Sequence, residues 1–425
     1  MRSAPPLCFA KHDQHGAAAL VVVMILLFAT ALAVAFTHRN LVFEQRSSSN
    51  QYRATQAFEA AEAGIEWALA QLNANQRIGD DCLPSADAAA TSFRMRYLSA
   101  VHQTGMLTPT TWRSAGTPTP LHASCVRAAN GWSCSCPAQG WPNLESPRDA
   151  APAFMLHFLP ASKVGVVRVA AIGCSSLAGS CLAGSTTRPE ATSTIEVAFG
   201  LVAGLRTPPA ATVTTRAGFD AGSAPIGLHN TDPSTAIAVD AGGVIHAPQA
   251  RMTPPAGGSI TEILADHDAA LAALPADRLF AAHFGVDKAA WQAQPAVTRI
   301  ACTVDCARVL GAAIATAADG VLIHVEGNLT LAGPLTLGTS QRPVAIVVNG
   351  AARLDGAVAI QGLLYAASIT WNHMAGDAFV RGALVSEAGY EGDGAPDLFY
   401  DAGVLELLTH TTGSFARVGG SWRDF

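Results

Sequence analysis

Residues 17–37 read AAALVVVMILLFATALAVAFT, a run without a single charged residue. As a helix, a run of this length crosses a bilayer's hydrocarbon core of about 30 Å. The sequence beyond it, as far as Ala74, contains no Pro and only one Gly, Gly64. The helix can therefore continue well past the membrane, to a length of about 85 Å if it is unbroken from Ala17 to Ala74.

The part of this helix beyond the apolar run is amphipathic. Apolar residues recur at three- and four-residue steps and form one stripe: Phe58, Ala61, Ile65, Leu69 and Leu72. Three acidic residues follow the same rhythm on a neighbouring face: Glu59, Glu62 and Glu66. We expect the apolar stripe to pack on a folded head, while the acidic face meets neighbours or water.

Three features occur together at the N-terminus. A short leader carries Arg2 and Lys11, the apolar segment starts directly at Gly16-Ala17, and residues 56–63 read QAFEAAEA. From the start of the chain to about Asn75, this combination resembles the N-terminal region of PilX-type minor pilins of type IV pilus systems. The family motif corresponds here to Phe58, Glu59, Ala60, Ala61, Glu62 and Ala63.

The resemblance implies a processing step and a role for the helix. A membrane prepilin peptidase is expected to cut between Gly16 and Ala17, so that residues 1–16 are a prepilin leader. The helix of residues 17–75, with its transmembrane part at 17–37, then serves as membrane anchor and as filament-packing element.

Two positions depart from the pattern of major pilins. Such pilins have Phe at the first mature position and Glu at the fifth, whereas this chain has Ala17 and Val21. In the family, that Glu neutralises the free amine of an adjacent subunit inside an apolar filament core, where an unpaired charge is costly. Val21 has no carboxylate, so we expect a place at the filament tip or in an initiating complex.

The apolar run has two other interpretations. It can be a plain single-pass anchor, or a secretory signal cleaved near Ala33-Val-Ala35. A cleaved signal is disfavoured because its apolar region is typically about 7 to 15 residues long.

The composition excludes a disordered chain. Of the 425 residues, 50% are hydrophobic and 14% are charged, a balance that favours well-buried structure. The length allows two or three domains of about 100 to 200 residues each. Loss of Arg2, Lys11 and Asp13 with the leader leaves 24 basic and 31 acidic residues, a net charge of −7. Nothing here indicates a nucleic-acid partner.

Cysteine usage indicates an oxidising compartment. Of nine cysteines only Cys8 is in the leader, and the other eight can form four disulfides in a compartment such as the bacterial periplasm. Close spacing favours the pairs Cys174 with Cys181 and Cys302 with Cys306. We expect a single-pass protein of the bacterial inner membrane with its head in the periplasm, reaching the cell surface or pilus after assembly.

Residues 76–205 are predicted to form a pilin-like head. Four runs have strand character: residues 92–98, 153–159, 164–172 and 193–202. Residues 104–149 are rich in Pro, Gly, Ser and Trp and are predicted to be a long loop held by disulfides. The fold class is therefore α+β, with the distal half of the helix laid across an antiparallel sheet.

Residues 206–225 are predicted to be a linker and residues 226–425 a β-rich domain with helices at 259–274 and 276–292. Residues 325–337 align with 348–360 at an offset of 23, and residues 362–365 with 382–385 at an offset of 20. Such repeats predict a short parallel β-solenoid, with an antiparallel sandwich as the alternative. Leu405, Leu407 and Leu408 are expected to cap its open end.

Catalytic and metal-binding motifs are not recognisable. The sequence has no HExxH, GxSxG, Walker or dinucleotide-binding motif. Cys134 and Cys136 lack the second half of a zinc site. An acidic cluster allows a carbohydrate-active enzyme or a Ca²⁺ site, although residues 391–397 are more simply a solvated turn. Its members are Asp377, Glu387, Glu391, Asp393, Asp397 and Asp401.

We therefore expect a non-enzymatic minor pilin-like subunit of a type IV pilus or a related secretion pseudopilus, without catalytic residues, cofactor or metal. Its expected partners are other minor pilins and pilus assembly proteins, the prepilin peptidase and the inner membrane. The alternative is a membrane-anchored β-solenoid adhesin or scaffold that never enters a filament.

Overall fold

The computed structural model describes residues 15–101, 103–114, 116–145, 151–182, 188, 191–302 and 305–425. Helix α1 (His15–Asn73) opens the chain. By contacts, the chain divides into two compact units, one up to Thr55 and one comprising Gln56–Phe425. In the described part of the chain the first unit consists of α1 alone, and the second holds the end of α1 and all β-structure.

The head begins after α1 with one short helix and nine strands. In chain order these are α2 (Phe93–Tyr97), β1 (Leu98–Ala100), β2 (Leu107–Pro109), β3 (Thr111–Ser114), β4 (Thr117–Pro120), β5 (His122–Ala128), β6 (Gly131–Ser135), β7 (Ala153–Pro160), β8 (Val166–Cys174) and β9 (Thr192–Ala203). Strands β5 to β9 form an antiparallel sheet in the order β9-β8-β7-β5-β6. The predicted antiparallel head sheet is thus present, and strands β7, β8 and β9 match their predicted runs closely.

Two local predictions for the head are wrong. Within the strand predicted at 92–98, residues 93–97 form α2 instead, because the Ser92 side chain caps the helix by accepting a hydrogen bond from the Met95 amide at 3.1 Å. Residues 104–149 are not one loop, since β5 lies between β7 and β6 within the sheet. The Cys125–Cys134 disulfide crosses the β5–β6 hairpin, so these cysteines join two strands rather than closing a loop.

The second β-structure is a stack of parallel strands, here called the stack. Its strands are β10 (Ala211–Thr215), β11 (Phe219–Asp220), β12 (Gly227–His229), β13 (Ile237–Ala241), β14 (Ile245–His246), β15 (Arg251–Thr253), β16 (Leu264–Ala265), β17 (Val297–Ala301), β18 (Val321–Glu326), β19 (Leu329–Leu331), β20 (Leu335–Leu337), β21 (Val344–Leu354), β22 (Val358–Trp371), β23 (Phe379–Ser386), β24 (Tyr390–Glu391) and β25 (Asp397–Tyr400). Its helices are α3 (Ala269–Ala273), α4 (Ala276–Phe284), α5 (Lys288–Gln292), α6 (Cys306–Thr316) and α7 (Ala402–His410).

The strand register in the stack follows the two sequence offsets. Val325 of β18 pairs with Val348 of β21, and Gly362 of β22 pairs with Gly382 of β23, all in parallel. Side chains on one side of these strands form an apolar interior that includes Ile323, Ile346 and Leu364. Each strand therefore adds one layer to a continuous core.

The predicted linker is wrong beyond its first residues. Residues 211–215 form β10, which is buried along its whole length between β13 and β23. Val213 pairs with both Val239 and Leu384. The run of Thr and Val suits a buried strand, so only residues 206–210 remain as a connection between head and stack.

The predicted helices of the stack are shorter than expected. Of residues 259–274 only α3 is helical. Residues 276–292 form two helices, α4 and α5, because Gly285 adopts a left-handed conformation (φ 76°) that ends α4.

The C-terminal segment returns to the head. Strands β26 (Gly413–Arg417) and β27 (Arg423–Asp424) both pair antiparallel with β9. The head is therefore built from two segments of chain, and the stack is inserted between β9 and β26. The expected capping role of the C-terminal leucines is wrong, because Leu405 and Leu408 of α7 join a core with Leu363 and Tyr365 on the flank of the stack.

Candidate functional site

The candidate functional element is α1, and its apolar span from Ala18 onward is exposed. Phe28 and Phe36 are each 69% exposed. The helix has a mean hydropathy of 2.9 in its most apolar stretch, and none of that stretch is buried. By length and composition it suits a membrane crossing, and apolar surface of this extent requires lipid or other helices around it.

The predicted cleavage site lies at the start of the same helix. Gly16 and Ala17 fall in the first turn of α1, which begins at His15. Residues 1–14 of the predicted leader lie outside the described residues. Cleavage between Gly16 and Ala17 therefore stays a prediction.

The family motif of residues 58–63 divides between two faces of α1. Ala60 and Ala61 are buried, and Phe58 is half-buried against the head core. Glu59 and Glu62 are exposed, while Ala63 is half-buried. The motif thus presents small side chains to the head sheet and carboxylates to the surroundings.

The alanines let the helix backbone touch the sheet. A Cβ atom at Gly173 of β8 would lie 2.0 Å from the Ala57 carbonyl oxygen and 2.4 Å from the Ala61 nitrogen. At Gly64, a Cβ would lie 3.1 Å from the Ala171 and Phe154 side chains. Contact at this distance needs small residues on both the helix and the strand. The sequence did not indicate that Gly173 contacts the helix, because Ala57 and Ala61 lie far earlier in the chain.

Aromatic side chains hold the distal part of α1 against α2. Trp67 packs edge-on against Phe93 with ring centroids 5.3 Å apart. Tyr97 stacks on Phe158 at 5.4 Å, and burial raises the pKa of its hydroxyl. Ile65, which is fully buried, lies in the same cluster. These contacts bear out the packing predicted from the apolar stripe.

Arg94 of α2 joins the end of α1 to the C-terminal segment. Its guanidinium donates to the Leu72 carbonyl at 2.8 and 3.1 Å, to Thr411 at 3.0 Å and to Gly413 at 2.8 Å. The last carbonyls of a helix lack partners within the helix, and Arg94 supplies one. Burial lowers the pKa of Arg94, an effect that the charge of Asp319 partly offsets.

Polar residues that follow α1 form hydrogen bonds with the stack close to Arg94. Asn75 accepts hydrogen bonds from the amides of Ala318 and Asp319 at 3.2 and 2.9 Å. The Asp319 carboxylate accepts from the Ser92 hydroxyl at 2.8 Å. Burial raises the pKa of the Asp319 carboxyl, while the charge of Arg94 pulls it down. The head and the stack are therefore joined near the C-terminal end of α1 by half-buried hydrogen bonds as well as by the chain.

The eight cysteines after the leader are paired. The four disulfides of the structure are Cys82–Cys136, Cys125–Cys134, Cys174–Cys181 and Cys302–Cys306. Cys134 and Cys136 belong to two different disulfides, so neither offers the thiolate that a metal site requires.

The acidic cluster does not converge on one site. Asp397 pairs with Arg251 at 2.6 Å, and Asp377 pairs with His373 at 2.6 Å. Glu387 accepts from the Tyr365 hydroxyl at 2.8 Å. Asp401 caps α7. Among the described residues, no group of three or more His, Cys, Asp or Glu side chains could hold a metal ion.

Comparison with known families identifies the helix. Residues 15–66 match the family model described as PilX N-terminal, which covers the apolar span and the motif at 58–63. The N-terminal region is thus of the PilX type, as the sequence predicted. A search of curated proteins gives no significant match.

Comparison with solved structures gives a distant similarity. The competence-associated pilin ComZ from Thermus thermophilus shares 11% identity, with 88% of this chain and 97% of that chain covered and a TM-score of 0.26. A score this low carries no argument about fold or function.

Proposed function

We propose that this chain is a non-enzymatic minor pilin-like subunit of a type IV pilus or a related secretion pseudopilus. The observation that carries the proposal is the PilX-type helix, whose exposed apolar span continues into a segment packed on an antiparallel head sheet. An anchor that served only as a tether would not need a further stretch of helix built into the head. In a pilin-like subunit the same helix holds the membrane and the head together.

The stack is the displayed part of the subunit. Its parallel, in-register strands support a short β-solenoid, inserted into the head between β9 and β26. The four disulfides favour an oxidising compartment, so the head faces the periplasm of a bacterial inner membrane. Other minor pilins, pilus assembly proteins and the prepilin peptidase are its partners.

The position proposed within a filament is the tip or an initiating complex. Val21 replaces the carboxylate that major pilins use to neutralise a neighbour's amine. A subunit without that carboxylate is least penalised where no neighbour requires it.

The test is to determine the mature N-terminus and the location of the protein. Mass spectrometry of the protein from membranes and from sheared pili should find a chain that begins at Ala17. In cells that lack the prepilin peptidase, the protein should retain residues 1–16. Substitution Gly16→Glu should give the same result as loss of the peptidase. A mature protein that starts beyond residue 37 has lost its apolar span and would be a secreted scaffold. A protein that keeps the span but is absent from pili would leave the membrane-anchored scaffold as the better function.

A further inference from the structure

Two neighbouring cavities lie where the head meets the stack, inside the compact unit Gln56–Phe425. The first cavity has a volume of about 420 Å³ and the second a volume of about 340 Å³. Asp319 and Arg342, both from the stack, form part of the wall of each cavity. Cavities of at least about 300 Å³ at a boundary between domains are common sites for small ligands, so this pair is a candidate binding site.

The wall of the first cavity is apolar on the side of the head. Leu98, Leu107 and Phe415 are buried members of the head core, and Leu201 packs against that core. Leu407 of α7 lies in the same wall. Apolar walls of this kind bind water weakly and favour an apolar ring or chain.

The charged residues at the two cavities are mainly basic. Arg94 lines the first cavity, Arg77 lines the second, and Arg342 lines both. Among the described residues of the two walls, Asp319 is the one carboxylate. Three guanidinium groups against one carboxylate give a local charge of +2, whereas the whole chain carries −6. The cavities therefore favour an anion over a cation.

Asp319 already has partners within the protein. Its carboxylate accepts a hydrogen bond from the Ser92 hydroxyl at 2.8 Å. Burial raises the pKa of its carboxyl, while the charges of Arg94 and Arg342 lower it. Arg94 in turn donates to backbone carbonyls of the protein. Arg342 is exposed, so its guanidinium can turn to a ligand without leaving a buried site. Arg342 is thus the residue best placed to hold an anionic group.

We propose that these cavities bind a small amphipathic carboxylate, whose apolar ring or chain fills the first cavity and whose carboxylate pairs with Arg342. A guanidinium holds a carboxylate through two parallel hydrogen bonds, which fix its orientation. The wall of the first cavity comes from α2, β1 and β2 of the head and from α7 and the connection between β20 and β21 in the stack. A bound ligand therefore contacts both the head and the stack. The inference goes beyond the proposed function and holds whether or not the subunit enters a pilus.

Binding of three small probes tests the two halves of this site. Phenylbutyrate has both an aromatic ring and a carboxylate, phenylbutylamine keeps the ring but is a cation, and butyrate keeps the carboxylate without the ring. Equilibrium dialysis of the full-length protein in nanodiscs measures the binding of each probe, with empty nanodiscs as the background. We expect phenylbutyrate to bind at one molecule per chain with a Kd below about 1 mM, and expect the other two probes to bind at least tenfold more weakly.

Two substitutions at exposed positions locate the site. Arg342→Gln removes the proposed partner of the carboxylate and should weaken phenylbutyrate binding at least fivefold. Ser99→Trp places a large ring in the first cavity from its exposed edge and should weaken binding by a similar factor. Arg299→Gln is the matched control, because Arg299 is an exposed residue of β17 outside the walls of both cavities. The melting temperature of each variant is compared with that of the native protein, which separates lost binding from unfolding.

Three results would each overturn the proposal. The first is the absence of phenylbutyrate binding at millimolar concentrations. The second is equal binding of phenylbutyrate and either of the other two probes. The third is phenylbutyrate binding that the folded Arg342→Gln and Ser99→Trp variants retain in full.

Discussion

Gly173 of strand β8 lies against Ala61 of helix α1 so closely that a Cβ atom at position 173 would stand 2.4 Å from the Ala61 backbone nitrogen. The end of the helix is thus seated on the head sheet by backbone contact. This close contact and the polar contacts around it hold the helix to the head.

Substitution Gly173→Ala should lower the free energy of unfolding of the head by about 1 to 3 kcal/mol, because the added methyl group overlaps the helix backbone. Thermal unfolding of the purified full-length protein in detergent measures the effect. Gly376→Ala is the matched control, since a Cβ there meets nothing within 4 Å. Equal melting temperatures for both variants would contradict the close contact between Gly173 and the backbone of α1.

Substitution Ile65→Asp should destabilise the head by about 3 to 5 kcal/mol, because Ile65 is fully buried in the head core and an unpaired carboxylate would replace it. Glu62→Asp, on the exposed face of the same helix, should be close to neutral. The same thermal measurement compares the two variants. An unchanged melting temperature for Ile65→Asp would show that the stripe does not pack on the sheet in solution.

Substitution Arg94→Met should cost about 2 to 4 kcal/mol, because the half-buried carbonyls of Leu72, Thr411 and Gly413 lose a charged donor. Hydrogen exchange should rise most in strand β26, which Arg94 holds beside the helix end. Arg113→Met, at an exposed hairpin, is the control. Exchange in β26 that stays at the native level would argue against this role.

A histidine pair in the head, with His122 buried and His157 half-buried, predicts a loss of stability in acid. His122 and His157 have ring centroids 4.3 Å apart. Burial, followed by the neighbouring His122, lowers the pKa of His157 to about 4, so the folded head favours the neutral ring. Stability from this group is present above the ordinary histidine pKa of about 6.5 and is lost as the pH falls from there to about 4, by at most about 1.4 kcal/mol per pH unit.

Melting temperatures measured between pH 7.5 and 4.5 should therefore fall more steeply for the native protein than for His157→Gln, which cannot take up the proton. The carboxylates of the protein contribute equally to the stability of both proteins, so their effect cancels in the difference between the two curves. Parallel curves for the two proteins would rule out His157 as the responsible group.

Substitution Val21→Glu should allow incorporation along pilus shafts. With the proposed cleavage between Gly16 and Ala17, it supplies a carboxylate at the fifth mature position, as in major pilins. Immunogold labelling should find the native protein at one end of a filament and the variant along its length. Val22→Glu places the same charge at the next position and should not spread the label. Native protein found evenly along shafts would contradict the tip position.

Features that depend on neighbouring residues could be predicted from the sequence. Apolar composition marks the span at 17–37, and three- and four-residue steps mark the buried face that includes Ala61 and Ile65. The two repeat offsets give the register of β18 with β21 and of β22 with β23, because these layers of the stack repeat one another's pattern.

Features that depend on distant segments needed the tertiary structure. The return of residues 413–417 to β9, the burial of residues 211–215 between β13 and β23, and the contact of Gly173 with Ala61 each join parts of the chain far apart in sequence. A strand at a sheet edge and a glycine beneath a helix have no local periodicity of their own. The sequence by itself thus determined the long apolar helix, its motif and the repeats of the stack. Tertiary packing decided which segments complete the head, because the burial and hydrogen bonds that select those partners exist only in the folded chain.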